Sequence, residues 1–358
     1  MKLFINYQET KSVYAPNSEA VKNNDFENTI EKARENKLNN HEPEFKNQSK
    51  KLYEWLVKPL IEEKLIGKDV ETLVFVLDGN LQSIPMATLW DGKKFLVENK
   101  YALSLLPSSQ LFEFEELDKK ENRNLNVLFS GINKQLVIDI GENEIERLNT
   151  LPLCELSDKN EKCDRDTKIR FERKLLNENF TLENLQEEIK TGNYSIIHKS
   201  THGQFSSNPE DTYIVISHEN QTTVNSENQN DNVRDSLIAG KKLKGNDLDN
   251  LFRITNQKDL GTIQLLVFNT CYSASGDNRA TLGLAGIAIK SGARSTLSTL
   301  WRAADHVSAE LMKTFYDELE GNNKKEDNHI SKAEALHLAQ KKLIEDKITT
   351  ILNGNIQK

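Results

Sequence analysis

Apolar residues in this chain gather into short continuous runs, and between the runs lie stretches whose apolar positions recur at helical spacing. LVFVLDG, YALSLLP, NVLFSG, YSIIHKS, TYIVIS, IQLLVFN and STLSTLW have the length and the Val, Ile, Leu and Phe content of buried strands, and several are stopped by Gly or Pro. In KKLYEWLVKPLIEEKL the residues Leu52, Trp55, Leu56, Leu60 and Ile61 share one helical face. SSQLFEFEEL opens with serines suited to an N-cap, ENEIERL follows, and TLENLQEEIKTG is capped by Thr181 and stopped by Gly192. NDLDNLF, LGLAGIAIKSG and two C-terminal segments complete the helices. Apolar strands alternating with amphipathic helices predict an α/β fold with a mostly parallel sheet and helices on both faces.

Three stretches break the rhythm. Residues 8–50 are rich in Asn, Lys and Glu and almost free of apolar periodicity, so 1–50 is expected to be a polar N-terminal arm, solvated or a poorly packed helix, ahead of one domain over 51–358. Residues 153–172 and 218–240 read as surface insertions; Arg234 makes the second a candidate for proteolytic nicking, while a solvated loop without a regulatory role is the plainer reading.

Composition narrows the class. The chain has 358 residues and a formal net charge of −8, without the basic footprint of a nucleic-acid binder. Three cysteines, an odd number in a chain this long, do not form a disulfide framework and suit a reducing compartment. Cys154 and Cys163 lack a second Cys or His pair at zinc-ligand spacing, so no metal is expected and they read as structural thiols. No apolar window is long enough to span a bilayer and the N-terminus carries no signal-like core, so a cytoplasmic location is expected and no membrane partner.

The chemistry sits where two apolar runs stop. YSIIHKSTHG closes on His202 and Gly203, and IQLLVFNTCYS closes on Cys271. In an open α/β sheet ligands bind at the carboxyl ends of the strands. A histidine and a thiol there are the parts of a cysteine nucleophile and its base. A structural cysteine more often lies inside the apolar run, whereas Cys271 follows it in Asn269-Thr270-Cys271-Tyr272-Ser273; a core cysteine is the competing reading. Of the two histidines, His198 shares a strand face with Ile196 and reads as packed, while His202 lies past the strand end. Gly203 lets the backbone come close to a substrate and leaves its N–H unobstructed for a developing oxyanion.

Five blocks in order resemble the CHAT domain, a caspase-like peptidase fold of clan CD related to separases and found in many bacteria. VFVLDGNLQSIPMATLWDGKKFLVENKYALSLLPS is similar to its opening block, YSIIHKSTHGQF to its histidine block and LLVFNTCYSASGD to its cysteine block, with Thr270 where Ala is frequent. LGLAGIAIKSGARSTLSTLWRAADHVSAELMKTFYDELEG and KAEALHLAQKKL resemble the C-terminal block and final helix, so the likeness covers about residues 50–345. It implies a caspase-like three-layer sandwich with a His202–Cys271 dyad, oxyanion donation from the backbone of Gly203 and Cys271, no third catalytic side chain and no cofactor.

The implied activity is that of a cysteine endopeptidase acting on protein substrates, with a place in bacterial defence or signalling. An idle CHAT-fold scaffold that binds protein partners is the alternative, and nucleotide binding ranks last because no phosphate-loop motif occurs. In separases an acid in the stretch matching STLWRAADHVS binds a basic P1 side chain, which nominates Asp305, with Trp301 beside it; an N-cap role for Asp305 is the stronger competing reading. Asp78 reads as a turn residue. Residues 1–50 hold none of the helical repeats that family members carry upstream, so regulation is expected from an activator or sensor protein, from self-cleavage in 218–240 or from a dimer.

Overall fold

The computed structural model describes residues 2–5, 11–14, 23–38, 42–77, 81–82, 84–106, 125–132, 169–204, 206, 210–217, 240–256, 263–269, 292–299, 305–321 and 330–356. The chain divides into two compact units, one of Met1–Leu117 with Thr314–Lys358 and one of Asp118–Lys313.

In the first unit β1 (Lys2–Ile5), β2 (Lys11–Tyr14), β3 (Thr72–Val76) and β4 (Ala102–Leu105) form a sheet in the order β2-β1-β3-β4. β1 runs antiparallel to β2 and β3, and β4 runs parallel to β3. Leu73 and Phe75 of β3 are fully buried and alternate with half-buried neighbours, the period-two signature of a sheet with one packed face. Before β3 come α1 (Asn23–Leu38), α2 (Glu42–Leu56) and α3 (Lys58–Glu62). Leu52, Leu56 and Leu60 are buried as their spacing predicts, whereas Ile61 is exposed. The expected single helix is broken at Val57, because Pro59 has no N–H to donate to the turn before it and its ring crowds that turn, so a new helix starts with proline in its first turn. The C-terminal helix, numbered α7 (Lys332–Ile356), packs on β4 through a face that buries Ala335 and Ala339. Ser331 and Glu334 form a capping box at its start: the Glu334 N–H donates to Ser331 Oγ at 3.1 Å and the Ser331 N–H to Glu334 Oε2 at 2.9 Å.

The second unit is built on five strands, β5 (Leu125–Gly131), β6 (Ile169–Leu176), β7 (Ile196–Ser200), β11 (Leu265–Asn269) and β12 (Thr296–Ser298), all parallel in the order β12-β11-β7-β5-β6. Leu128, Leu175, Ile197, Leu266 and Phe268 cluster on one face with Leu185 and Ile189 of α4 (Leu182–Thr191) and Leu248 and Leu251 of α5 (Gly245–Asn256). The alternate residues Val127, Phe129, Ile196, Leu265 and Val267 point to the other face and are equally buried. Burial on both faces is why these strands read as continuous apolar runs. A second, antiparallel sheet holds β8 (Gly203–Gln204), β9 (Tyr213–Ile216) and β10 (Lys241–Lys244) in the order β10-β9-β8. The boundary between the units falls within α6 (Asp305–Glu320). The mostly parallel α/β architecture agrees with the expectation from the alternation and with a caspase-like three-layer fold.

Three differences from the sequence reading have local causes. The stretch 8–50 contains β2, α1 and the start of α2, with Phe45 and Ser49 buried, and the expected boundary at residue 50 falls inside α2. Many polar residues and few apolar ones hide that order from a periodicity reading, although Ser49 is anchored by a hydrogen bond to the Thr88 carbonyl. Second, 169–172 belong to β6 and not to the insertion expected over 153–172. The β5–β6 register shifts between Val127–Phe171 and Leu128–Arg173, a bulge that moves the inward-facing set from Ile169 and Phe171 to Leu175 on the opposite face. Third, β1, β8 and β10 are two to four residues long and too short to show a period. The helices expected at SSQLFEFEEL, ENEIERL and, up to Ser291, LGLAGIAIKSG, the turn at Asp78, Cys154, Cys163, and 218–239 with Arg234 lie outside the described residues.

Candidate active site

Parallel strands place their carboxyl ends on one edge of a sheet, and in this sheet three ends are level: Gly131 of β5 pairs with Ser200 of β7, which pairs with Asn269 of β11. β7 and β11 stay in register over five pairs from Ile196–Leu265 to Ser200–Asn269. The Ile132 N–H donates to the Ser200 carbonyl at 3.1 Å, and a Cβ on Gly131 would lie 2.5 Å from that same oxygen, so only glycine allows β5 this close to the end of β7. The Thr201 N–H donates to the Asn269 carbonyl at 3.3 Å and carries the β7–β11 ladder past the last strand pair.

His202 follows Ser200 by two residues and is partly exposed, in contrast to the strand before it. Its carbonyl accepts a 2.7 Å hydrogen bond from the Val215 N–H of β9. Thr201, which is buried, donates its hydroxyl to the Val215 carbonyl at 2.6 Å. Gly203 pairs with Ile214 in the antiparallel β8–β9 register. Because His202 and Val215 are the hydrogen-bonded pair, Gly203 and Ile214 are the non-bonded pair next to it, which turns the Gly203 N–H away from β9. A Cβ on Gly203 would lie 2.8 Å from the Tyr213 carbonyl. The absence of a side chain at Gly203 is thus what lets β9 lie this close.

His198 lies inside β7, fully buried, with its ring 4.9 Å from that of Phe129 at an edge-on angle of 64°. That is the packed histidine expected from strand alternation. The next residue, Lys199, is fully buried on the opposite face with Nζ 5.7 Å from the centre of the Phe180 ring, and loss of hydration lowers its pKa to about 7. Sequence reasoning passed over it; the available signal was a lysine held between Ile196-Ile197 and the strand's end in an otherwise buried run.

Asp305 is the first residue of α6; its side chain, like Trp301 and Cys271 as a whole, lies outside the described residues. Cys271 is joined to Asn269 through Thr270. Among the described residues no group of three or more His, Cys, Asp or Glu side chains could hold a metal ion, and no helix is long and apolar enough to cross a membrane.

No curated protein sequence matches the chain. A family model described as the CHAT domain matches residues 46–356, taking in both units, the level strand ends, the histidine-glycine pair and the cysteine. The match covers most of the sequence and is in accord with a caspase-like, clan CD assignment: this chain belongs to the CHAT domain family.

Proposed function

We propose that this chain is a cysteine endopeptidase in which Cys271 is the nucleophile and His202 its acid–base partner. One observation carries the reading: the in-register ladder of β7 and β11 ends at Ser200–Asn269, and His202 and Cys271 each follow their half of that pair by two residues. Adjacent strands lie about 4.8 Å apart, and two residues reach at most about 7 Å, so a thiol and an imidazole leaving two neighbouring strand ends are within range of contact. The CHAT family membership adds a peptidase-like fold to that proximity.

In this reading the imidazole of His202 takes the proton of the Cys271 thiol, and Sγ attacks the peptide carbonyl carbon. The carbonyl π electrons move to oxygen, and the backbone N–H groups of Gly203 and Cys271 donate to the resulting oxyanion; the turn of the Gly203 N–H away from β9 supports this role. The C–N bond breaks as the imidazolium of His202 protonates the leaving amine. Water, deprotonated by His202, then attacks the thioester and releases the acid and the thiol. Asp305, with Trp301, is the proposed source of a preference for Arg or Lys at P1, and an activator protein or cleavage within 218–240 the proposed control.

The test compares the wild type with Cys271→Ala and His202→Ala on a peptide library carrying every residue at P1. Each variant is expected to lose at least about 1,000-fold in kcat/KM, the scale of losses when one member of a nucleophile–base unit is removed. Asp305→Ala is expected to lose the basic-P1 preference with the other cleavages retained. Undiminished cleavage in either dyad variant would sink the reading. Should the wild type cleave nothing, labelling by an electrophilic thiol probe decides: rapid labelling of Cys271 that slows in His202→Ala marks a peptidase awaiting activation, and equal slow labelling marks a binding scaffold.

A further inference from the structure

Thr201 stands between the last residue of β7 and the proposed base, and its N–H and its hydroxyl are committed to neighbouring strands. Its N–H donates to Asn269 at the end of β11 at 3.3 Å, and its hydroxyl to the Val215 carbonyl of β9 at 2.6 Å. The Val215 N–H in turn donates to the His202 carbonyl at 2.7 Å. One residue of β9 thus grips the chain on both sides of the His202 Cα, while the Thr201 backbone holds the same stretch against the strand end that leads into Cys271. Only 7% of Thr201 is exposed, so the hydroxyl has little recourse to water if the Val215 carbonyl is lost as a partner.

We infer that Thr201 is a positioning residue for the dyad, setting the place of the His202 imidazole relative to Cys271 by tying the base-bearing segment to β9 and β11 at once. The inference rests on the peptidase reading and adds to it a residue that touches neither substrate nor reacting atoms. Its physical basis is that His202 lies beyond the end of the β7–β11 ladder, so that its hold on the neighbouring chain runs through Val215. Without the hydroxyl bond, the segment from Ser200 to Gly203 keeps its fold but gains freedom at the Cα that aims the ring. Valine at 201 matches threonine in shape and branching and exchanges only the hydroxyl for a methyl; serine keeps the hydroxyl and loses the methyl.

The experiment measures kcat, KM and the pH dependence of Cys271 alkylation by iodoacetamide in the wild type, Thr201→Val, Thr201→Ser and His202→Ala, each checked for native circular dichroism. Thr201→Val is expected to lower kcat roughly 10- to 100-fold with KM within about twofold, the effect of misplacing a catalytic group by a fraction of an ångström to an ångström. Its alkylation profile is expected to shift toward that of His202→Ala, and Thr201→Ser to restore both readouts to within about threefold of the wild type. Thr201→Ala carries the same expectation as Thr201→Val and serves if the valine variant does not fold. A Thr201→Val enzyme with wild-type kcat and profile, or equal losses in the Val and Ser variants, would overturn the inference. If His202→Ala leaves the alkylation profile unchanged, the dyad reading has failed and takes this inference with it. If His202→Ala changes the profile and Thr201→Val does not, the dyad stands and Thr201 alone is dismissed.

Discussion

Lys199 and His198 are consecutive residues of one strand, both fully buried, and they face opposite sides of the sheet. The lysine costs the fold something. With its pKa lowered from 10.5 to about 7 by desolvation, it binds its proton less tightly in the folded protein than in the unfolded chain. Between about pH 7 and pH 10.5 the unfolded state therefore holds more protons, and stability rises with pH at up to about 1.4 kcal/mol per unit from this group. Below pH 7 both states are protonated and the full penalty applies. Replacement by Met removes the penalty, so the gain in midpoint of thermal unfolding of Lys199→Met over the wild type is expected to be larger at pH 6.5 than at pH 9.5. Differential scanning calorimetry at the two pH values checks this, and an equal or larger gain at the higher pH would refute it. At this scale the sequence marks His202 and Gly203 by their place after an apolar run, but burial of Lys199 and the grip of Val215 on Thr201 and His202 arise from strands distant in the chain.

Helix α4 shows how an element can be legible from end to end. Thr181 is its N-cap, its Oγ1 accepting from the Asn184 N–H at 3.2 Å, and Gly192 ends it with an N–H to the Glu188 carbonyl at 2.8 Å. Thr181→Ala is expected to cost about 1 kcal/mol in urea unfolding, with Thr181→Ser close to wild type; no difference between Ala and Ser would show that the cap bond contributes nothing. These signals are local, two to four residues across. β6 is the opposite case: its apolar residues are split between the two faces by the bulge opposite Val127–Leu128, so neither alternation nor a continuous run announces it. The break between α2 and α3 lies in between, since Pro59 was visible in the sequence, but helical spacing carries Leu60 onto the buried face regardless.

At the scale of the whole molecule, net charge and topology act independently. The chain carries a net charge of −8 at pH 7 and a sequence pI near 5.6, so mutual repulsion between copies fades as pH falls toward that value. Solubility measured across pH 4 to 9 is expected to be lowest near pH 5.6; a minimum above pH 7 would contradict this charge balance. The first unit is discontinuous in sequence, as its C-terminal helix α7 returns to pack on β4 about 230 residues after that strand, a closure no local pattern announces.

The amino-acid sequence by itself determined that apolar strands alternate with amphipathic helices, that the chemistry-bearing residues follow two of those strands, and that the blocks occur in the order of a CHAT domain. Each of these is written in consecutive residues, because hydrophobic period, caps and turns act over a few positions. Only the tertiary structure decided that β11 lies beside β7 although β8, β9, β10, α5 and the stretch 218–240 separate them in the chain, and that their ladder ends level at Ser200 and Asn269. It alone joined Thr201 to Val215 and Asn269. Strand neighbours and register are chosen by burying both faces of the sheet together, and that choice depends on every strand at once.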